Sequence, residues 1–597
     1  MSDTIKAEQD ISWNLDDLYL GPEDPGIDAD LARAGQMARD FAAAYRGRIA
    51  ALAPEELLEA LRREEAITTV AYKPSGYASL AFSAQTQDPK LQALVVKTRE
   101  ALTKISNETI FFDVELKRMD DAGFARFVDA PELATYRHHL LNLRAFAPHT
   151  LSEAEEKVVA EMRLTGSSAW SQLYTEITSS LRFPVVVEGE EKLLTDPEVR
   201  ALRTRPDRDL RKHAGESLYS VYEANSRVLT YVFNTLFQDH RITIGLRSYA
   251  TPIEPTTLSD ELSPELVELL MSSVEAHYGL VQEYYGLKAK LLGLEGDFRY
   301  HDVLTPFKKD ERAYEFSEGR GMVLSAFREF HPTMADVAGE FFEGRWIDAT
   351  PRQGKRGGAF CSGLLPAYHP YVLTNFTGRL EDVFTVAHEL GHGVHFSLAR
   401  RQTPLNFSPT TPMAEVASVF GEILLAKTLR EREPDPSVGR DILGSMIEDA
   451  IATIFRQVMY TRWEQKAHER RAEGVATAEE YSTLWKDENR RLYGDSVAMD
   501  DLDRWGWISI PHFVRYRFYC YSYAFGHLLV FALYRRYLEE GPVFASKYLD
   551  LLASGGSDRP EVLLSRMGLN PLDPNFWNDG FQLFEQLLDE FRLAAAA

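Results

Sequence analysis

The sequence predicts a mostly α-helical fold of two lobes, in which a hairpin and one small β-sheet are the extended parts. Apolar residues recur every three to four positions over most of the chain, which is the spacing of a helix with one buried face. The chain has 597 residues, more than a single hydrophobic core usually supports, so two or more lobes are expected.

The N-terminal part reads as a succession of helices without a Gly/Ser-rich linker. The spacing predicts helices over 30–51, 54–69, 89–107, 131–144 and 152–164. A β-branched run, a Glu-Gly turn and a second short run then predict a hairpin over 183–195. We place the domain boundary here, with an N-terminal helical lobe over 1–195 and a second domain over 196–597.

The second domain begins with further helices, and short extended segments then follow. Helices are predicted over 207–241, 263–292 and 313–330. Between about 340 and 376, short extended candidates at 343–349, 359–362 and 371–376 are separated by glycine and proline. They predict a small sheet lying beside the helix that follows.

That helix carries the motif His-Glu-x-x-His, at His388, Glu389 and His392. Residues four apart on a helix lie on the same face, so the two imidazoles can converge on one zinc ion. Glu389 is rotated about 100° from His388 and can act as a base toward a water molecule at the metal. The alternative is a buried helix with structural histidines. Gly391 and Gly393 argue against it, because glycine weakens a helix interior unless something approaches closely.

A catalytic zinc site needs a third protein ligand. The metzincin pattern is excluded, because it requires glycine at 395 and histidine at 398, and the chain has His395 and Leu398. His395 lies roughly 10 Å along the helix from His388, which favours packing or contact with a ligand over metal binding. Glu415, in the first turn of a helix opened by Thr411-Pro412, is a better candidate. From its position alone it is equally a solvated acid at a helix terminus.

Composition narrows the classes of protein. There are 66 Lys and Arg against 90 Asp and Glu, a net charge of −24, which argues against a nucleic-acid partner. Two cysteines cannot form a disulfide framework and suggest a reducing compartment. No signal peptide and no apolar run of about 20 residues is evident. We therefore expect a cytoplasmic protein without membrane contact.

Two further segments are candidates for binding and catalysis. Gly357-Gly358, followed by Ala359 and Phe360, would leave backbone uncovered for pairing with an extended peptide. The alternative is a surface turn with a cationic tip from Lys355 and Arg356.

Farther along, Pro511 opens a predicted helix. His512, Tyr516, Tyr519 and Tyr523 would fall on it at i, i+4, i+7 and i+11, in one stripe. Such side chains can donate hydrogen bonds to a developing oxyanion. A packed aromatic core face is the alternative.

Several strings together resemble the thimet-oligopeptidase-like zinc metallopeptidases, in particular the oligoendopeptidase F-type branch. The strings lie at 354–361, 375–376, 388–392 and 414–418, with weaker likeness at 13–19 and 151–170. The resemblance implies a two-lobed helical metallopeptidase with a small β-sheet beside the zinc-binding helix and a deep substrate channel. It also implies one Zn²⁺ per chain, with Glu415 as the third ligand beside His388 and His392.

The resemblance also implies roles for other residues. Glu389 would be the catalytic base, and Tyr516 and Tyr523 match a family pair seven apart that stabilises the transition state. His512 is less well matched, because its spacing to the first tyrosine is four instead of five. The segment Gly357, Gly358, Ala359 and Phe360 would bind substrate. Tyr519 is a further substrate-binding candidate without a clear family counterpart. Apart from the resemblance, Glu422 is a candidate for a hydrogen bond to a metal ligand or near the substrate, and a plain surface acid is the alternative.

The predicted function is zinc-dependent endopeptidase activity on short unstructured oligopeptides. One alternative is a zinc carboxypeptidase or dipeptidyl carboxypeptidase, in which Arg515 or Arg517 would anchor the peptide C-terminus. Another is a non-enzymatic peptide-binding relative. Cleavage preference, peptide length limit and oligomeric state stay open at this point.

Overall fold

The structure is a computed structural model, and it describes residues 11–307, 312–432 and 436–596. Of these described residues 72% are helical, with only small sheets, so the predicted mostly helical fold is confirmed. The strands in these residues are β1 Phe183–Val187, β2 Glu190–Leu194, β3 Ile347–Asp348, β4 Phe360–Ser362 and β5 Tyr371–Leu373. Among the described helices, none has the length and apolarity that a membrane crossing would require.

The chain divides into two compact units, each built from three separated segments. The first comprises Met1–Ala147, Asp310–Arg432 and Arg536–Asn570, and the second Pro148–Lys309, Glu433–Arg535 and Pro571–Ala597. These discontinuous units differ from the continuous lobes expected on either side of residue 195. The boundary near 195 stays a prediction about how the sequence divides into domains.

The first unit contains an N-terminal helical core and the segment with the His-Glu-x-x-His motif. Its helices are Pro25–Tyr45, Pro54–Ala84, Pro89–Thr109, Phe111–Arg118, Asp121–Val128, Arg137–Ala145, Phe316–Phe330, Pro332–Glu343, Leu380–Ala399, Thr411–Ala414, Val416–Arg432, Pro542–Leu552 and Pro560–Arg566. The predicted helix at 54–69 continues to Ala84 through Pro74, which is buried inside it.

The three-stranded sheet of the first unit has the order β3-β5-β4, with β3 parallel and β4 antiparallel to β5. Helix Leu380–Ala399, hereafter the HExxH helix, contacts both β4 and β5. The N-terminal segment covers the sheet, with the Trp13 ring 6.1 Å from that of Tyr371. The predicted small sheet beside this helix is therefore confirmed.

The HExxH helix packs closely against helix Val416–Arg432, hereafter the glutamate helix. A Cβ on Gly391 would lie only 2.4 Å from the Ala417 carbonyl oxygen, and one on Gly393 only 2.5 Å from the Phe341 ring. The predicted close approach at both glycines is confirmed. The close approach at Gly391 lets the HExxH helix and the glutamate helix place their polar side chains near one another.

We expect Gly391→Ala to destabilise the protein by about 1–3 kcal/mol, because the added methyl overpacks the helix contact. The measurement is the urea unfolding midpoint with zinc present. Gly286→Ala is the matched control, because Gly286 lies within helix Tyr278–Leu291 with open space around it. There alanine should be neutral or stabilising by up to about 1 kcal/mol. Equal effects of both substitutions would contradict the packing account.

The second unit is built from helices and the hairpin. Its helices are Glu153–Thr165, Ser167–Ser180, Asp196–Leu202, Arg208–Ala224, Ser226–Leu246, Glu254–Ser259, Pro264–Ala276, Tyr278–Leu291, Pro436–Ala450, Arg456–Ala472, Ala478–Tyr493, His512–Arg515, Cys520–Glu540 (counted here as far as Arg535) and Pro574–Ala596. Strands β1 and β2 pair antiparallel across Glu188 and Gly189, both with positive φ, which confirms the hairpin.

Two long helices predicted in the second unit are each divided in the structure. The break in 207–241 falls at Asn225, whose side-chain amide donates to the Val221 carbonyl. The break in 263–292 falls at His277, whose Nδ1 lies 2.8 Å from the Ser273 carbonyl. In both, a polar side chain competes for the backbone groups that a continuous helix would use.

Short 3₁₀ helices and a π-helical turn make up the remaining helical structure within the described ranges. The 3₁₀ helices are Ile49–Ala51, Pro131–Tyr136, Ala147–His149, Tyr300–Asp302, Pro404–Asn406 and Asp501–Ser509, and the π-turn is Ile451–Phe455.

Candidate metal centre and catalytic residues

The HExxH helix starts at a fixed point because its first turn is capped. Asp382 Oδ2 accepts hydrogen bonds from the backbone N–H and hydroxyl of Thr377, both at 2.7 Å, and from the Arg379 N–H. Arg379 is the N-cap residue, so the predicted cap at Thr377-Gly378 is displaced by one to two residues. Thr377 contributes through Asp382.

The two motif histidines and Glu415 converge. Nε2 of His388 and Nε2 of His392 each lie 3.5 Å from Oε2 of Glu415. One ligand atom from each of these three residues lies within 4.8 Å of the others, and no other such group of His, Cys, Asp or Glu is found in the described parts of the chain.

Glu415 occupies a break between two helices. The sequence predicts a single helix from Thr411 onward, but helix Thr411–Ala414 ends and the glutamate helix begins at Val416. Glu415 keeps near-helical dihedrals, with φ −78° and ψ −4°. The Ser418 hydroxyl donates to both the backbone carbonyl and Oε2 of Glu415, at 3.1 and 2.7 Å. These bonds turn the carboxylate toward the histidines.

The residues fit a zinc ion. Two imidazole nitrogens and one carboxylate oxygen form the donor set of a catalytic zinc site, which leaves one position open. Beside them, Glu389 is only 6% exposed, and its Oε2 has no hydrogen-bond partner among the described residues. A buried carboxylate oxygen without a partner is costly, so this position favours a bound water or substrate group.

The charges of these groups depend on one another. Burial lowers the pKa of His388, but its hydrogen bond to Glu422 and the nearby carboxylates outweigh this and raise it to about 9. Burial lowers the pKa of His392 to about 4, helped by the charge of His388. Burial also raises the pKa of the Glu389 carboxyl to about 7. Glu389 is therefore suited to both accepting and releasing a proton near neutral pH.

Residues around the three candidate ligands orient them. Nδ1 of His388 lies 3.2 Å from Oε1 of Glu422, so the proposed contact between Glu422 and a ligand is present. His395 is 4% exposed and interacts with the Ala414 backbone. It lies outside the three-residue group, in agreement with the expectation from its spacing.

The loop before strand β4 is held from two sides. The Asn375 side chain donates to the carbonyls of Arg356 and Gly358, at 3.0 and 2.8 Å. The Lys355 side chain is 1% exposed, and its ammonium group donates to the Thr374 carbonyl and is paired with Asp348. The alternative of a cationic surface tip is therefore wrong for Lys355. The sequence does not signal these bonds of Asn375, although Asn375-Phe376 is among the strings that carry the family resemblance.

The substrate-binding candidates of this loop remain accessible. Gly357 and Gly358 are exposed, and Gly358 has a φ of +80°. Ala359 and Phe360 are half-buried. Strand β4 pairs with β5 on one side and is an edge of its sheet. The arrangement can accept an extended peptide at that edge.

The predicted helix from Pro511 through Tyr523 is wrong. Helix His512–Arg515 ends after one turn, and helix Cys520–Glu540 begins after a turn at 516–519, hereafter the tyrosine turn. Phe518 in this turn has a φ of +55°. A bulky residue rarely adopts this left-handed conformation, and it cannot occur within an α-helix. The predicted stripe at helical spacing is therefore also absent.

The turn nevertheless assembles the candidate donors. Nε2 of His512 lies 3.4 Å from the Tyr523 hydroxyl. The Tyr519 ring lies 5.0 Å from that of Tyr523 and 6.0 Å from that of Tyr516. Tyr516 is 62% exposed. These four residues belong to the second compact unit, whereas the three candidate ligands belong to the first.

Comparisons with known proteins give consistent matches over the whole chain. The model of Peptidase family M3 matches residues 201–583, and that of Oligopeptidase F matches 115–183. The predicted boundary near 195 falls between these two segments.

Similar proteins include Oligopeptidase PepF of Bacillus subtilis, 26% identical over 98% of this chain and 87% of the relative. The chromosomal oligoendopeptidase F of Lactococcus lactis subsp. cremoris is 28% identical over 90% of both.

Solved structures share the fold. A Chlamydophila abortus protein superposes with a TM-score of 0.86 at 25% identity, over 99% of both chains. The oligoendopeptidase-F of Enterococcus faecium gives 0.71 at 23% identity, over 95% of this chain and 98% of the other.

Proposed function

The chain belongs to peptidase family M3, and from this membership we propose that it is a zinc-dependent endopeptidase acting on short, unstructured oligopeptides. The observation that carries the proposal is the convergence of His388, His392 and Glu415 beside Glu389, whose buried Oε2 has no hydrogen-bond partner in the described parts of the chain. The names of its relatives, oligopeptidase and oligoendopeptidase, support the substrate class.

His388, His392 and Glu415 would hold one zinc ion per chain. Bound zinc supplies Lewis acidity, which polarises the peptide carbonyl and makes water a better nucleophile at neutral pH. Glu422 would keep His388 in the tautomer with its proton on Nδ1, which leaves Nε2 free to bind the metal.

Glu389 would act as general base and then as general acid. Its carboxylate takes a proton from the attacking water while the water oxygen bonds to the peptide carbonyl carbon. It then gives that proton to the amine nitrogen as the C–N bond breaks. The buried setting of Glu389 favours both steps, because neither protonation state is strongly preferred near neutral pH.

Other chain residues would bind substrate and the developing charge. We assign hydrogen-bond donation to the oxyanion to Tyr523, with Tyr516 and His512 assisting. Tyr519 and the segment Gly357, Gly358, Ala359 and Phe360 are assigned to peptide binding. The edge position of β4 supports pairing of an extended substrate there. The two free cysteines support the proposal of a cytoplasmic location.

The test is to incubate the purified zinc-loaded protein with short peptides, each with a free or an amidated C-terminus, and to identify the fragments by mass. We expect internal cleavage that tolerates the amidated end. Release limited to one or two C-terminal residues, lost on amidation, would instead indicate a carboxypeptidase. Peptides bound but uncleaved would indicate a non-enzymatic relative.

A further inference from the structure

We propose that Glu464 is a positioning residue, which holds the tyrosine turn in the conformation that brings His512 and Tyr523 together. The inference rests on the proposed function, because it concerns residues assigned there to donate hydrogen bonds to substrate. Glu464 lies on helix Arg456–Ala472, far from the motifs in sequence, and belongs to the same compact unit as the turn.

The tyrosine turn brings the candidate hydrogen-bond donors His512 and Tyr523 close together. On a continuous helix, His512 and Tyr523 would be separated by roughly 16 Å along the axis. In the structure Nε2 of His512 lies 3.4 Å from the Tyr523 hydroxyl. The reversal of the chain at 516–519 accounts for this difference. Any residue that fixes the turn therefore also fixes the spacing of the donors.

The conformation of the turn depends on Phe518. Its φ of +55° is unfavourable for a bulky side chain, and its ring is fully buried. The ring packs against the imidazole of His468, with 5.0 Å between centroids. A strained backbone of this kind persists only where its surroundings hold it.

Glu464 stabilises this backbone conformation through a hydrogen bond. Its Oε2 accepts a hydrogen bond of 3.0 Å from the Phe518 backbone N–H. The side chain is 0% exposed, and Oε1 has no hydrogen-bond partner among the described residues. Burial raises the pKa of the Glu464 carboxyl to about 8, opposed by the bond to Phe518. A carboxyl buried at this cost, with its hydrogen bond directed to one strained amide, fits a positioning role.

The segments beside the turn are fixed separately. The Thr256 hydroxyl donates to the Arg517 carbonyl at 3.0 Å. The hydroxyls of Tyr521 and Ser522 donate to Asp260 Oδ2, at 2.6 and 2.8 Å. Loss of Glu464 should therefore loosen the turn locally and leave the helices on either side in place.

The first arm of the test reads the turn without catalysis. Hydrogen–deuterium exchange of the peptide covering 512–523 is compared in the parent protein, Glu464→Met and Glu464→Gln. Methionine has a similar size but no acceptor, whereas glutamine keeps an acceptor oxygen. We expect exchange at the turn to rise at least about tenfold in the Met variant and to stay near the parent value in the Gln variant. Glu464→Ala, measured below its melting temperature, is the second variant if the Met variant does not fold.

Glu488→Gln is the matched control. Glu488 is also fully buried in the second unit, where it is paired with Lys466 and Arg491. This substitution should lower the melting temperature without changing exchange at the tyrosine turn. Unchanged exchange in both Met and Ala variants, or an equal rise in the Glu488→Gln control, would overturn the proposal.

The second arm is a double-mutant cycle with Tyr523→Phe. Alone, Glu464→Met and Tyr523→Phe should each lower kcat at least about tenfold, with smaller changes in KM and zinc content unchanged. Combined with Tyr523→Phe, Glu464→Met should cost less than about twofold more, because the donor it positions is already absent.

Two outcomes of the cycle would overturn the proposal, and they are distinguishable. Full additivity would mean that Glu464 acts on something other than the donors, while the role of Tyr523 would stand. If Tyr523→Phe kept the parental kcat, Tyr523 would not be a donor to the transition state, and Glu464 could not act by positioning it. The proposed peptidase function would then be judged separately, by the peptide cleavage test.

Discussion

Replacing Glu389 with glutamine should lower kcat at least about 10³-fold while zinc stays bound. The amide is close in size to the carboxylate but cannot take a proton from water, so the base is lost and the metal ligands are kept. Because Glu389 is only 6% exposed, bulk water has little access to its position and cannot efficiently replace it as the base. The measurements are kcat on a quenched peptide and zinc content by elemental analysis.

The matched control for this prediction is Glu381→Gln. Glu381 lies in the first turn of the same helix but is exposed, so the same chemical change there should leave kcat within about twofold. A Glu389→Gln variant that cleaves at the parental rate with stoichiometric zinc would show that another group is the base.

Replacing Glu415 with alanine should abolish stoichiometric zinc binding and with it nearly all peptidase activity. Two histidines would remain, one ligand fewer than the three protein ligands of a catalytic zinc site. The loss would also leave Ser418 without the carboxylate it now bonds. The measurements are zinc content after dialysis and the gain in melting temperature on adding zinc, which should be large for the parent and absent for the variant.

Glu422→Gln separates binding of the metal from orientation of its ligand. Glu422 contacts His388 and lies outside the three-ligand group. This variant should bind zinc roughly 10–100-fold more weakly but regain activity when zinc is added in excess.

The Glu415→Ala prediction has a clear contradicting result. If that variant kept stoichiometric zinc and full turnover, Glu415 would not be a ligand.

The parts of the candidate site whose geometry could be predicted depend on local sequence. His388, Glu389 and His392 lie on a single helix, where spacing alone fixes their relative directions. The glycines at 391 and 393 indicated a close neighbour, and the structure supplies it in Ala417 and Phe341. Hairpin β1–β2 was likewise readable, because its turn residues and strands adjoin in the chain.

The errors arose where distant segments override local preference. The residues from Pro511 to Tyr523 have helical periodicity, yet the chain turns at Phe518. A buried carboxylate from Glu464, 54 residues earlier in the chain, accepts its backbone N–H. The alternative of a surface cation at Lys355 is also wrong, because its side chain is buried, paired with Asp348 and hydrogen-bonded to the Thr374 carbonyl. Neither partner is signalled by a motif.

The sequence alone thus determined the helical class, the relative directions of His388, Glu389 and His392 on one helix, and the kinship with M3 peptidases. Helical periodicity and i, i+4 spacing act over a few residues, so no other part of the chain is needed to read them. Local spacing left open the positions of Glu415 and Glu422, and tertiary structure decided that Glu415 meets the histidines, that Glu422 contacts His388, and that the tyrosines gather at a turn. Those contacts join residues that lie far apart in the chain, and only packing of the folded helices specifies which of them meet.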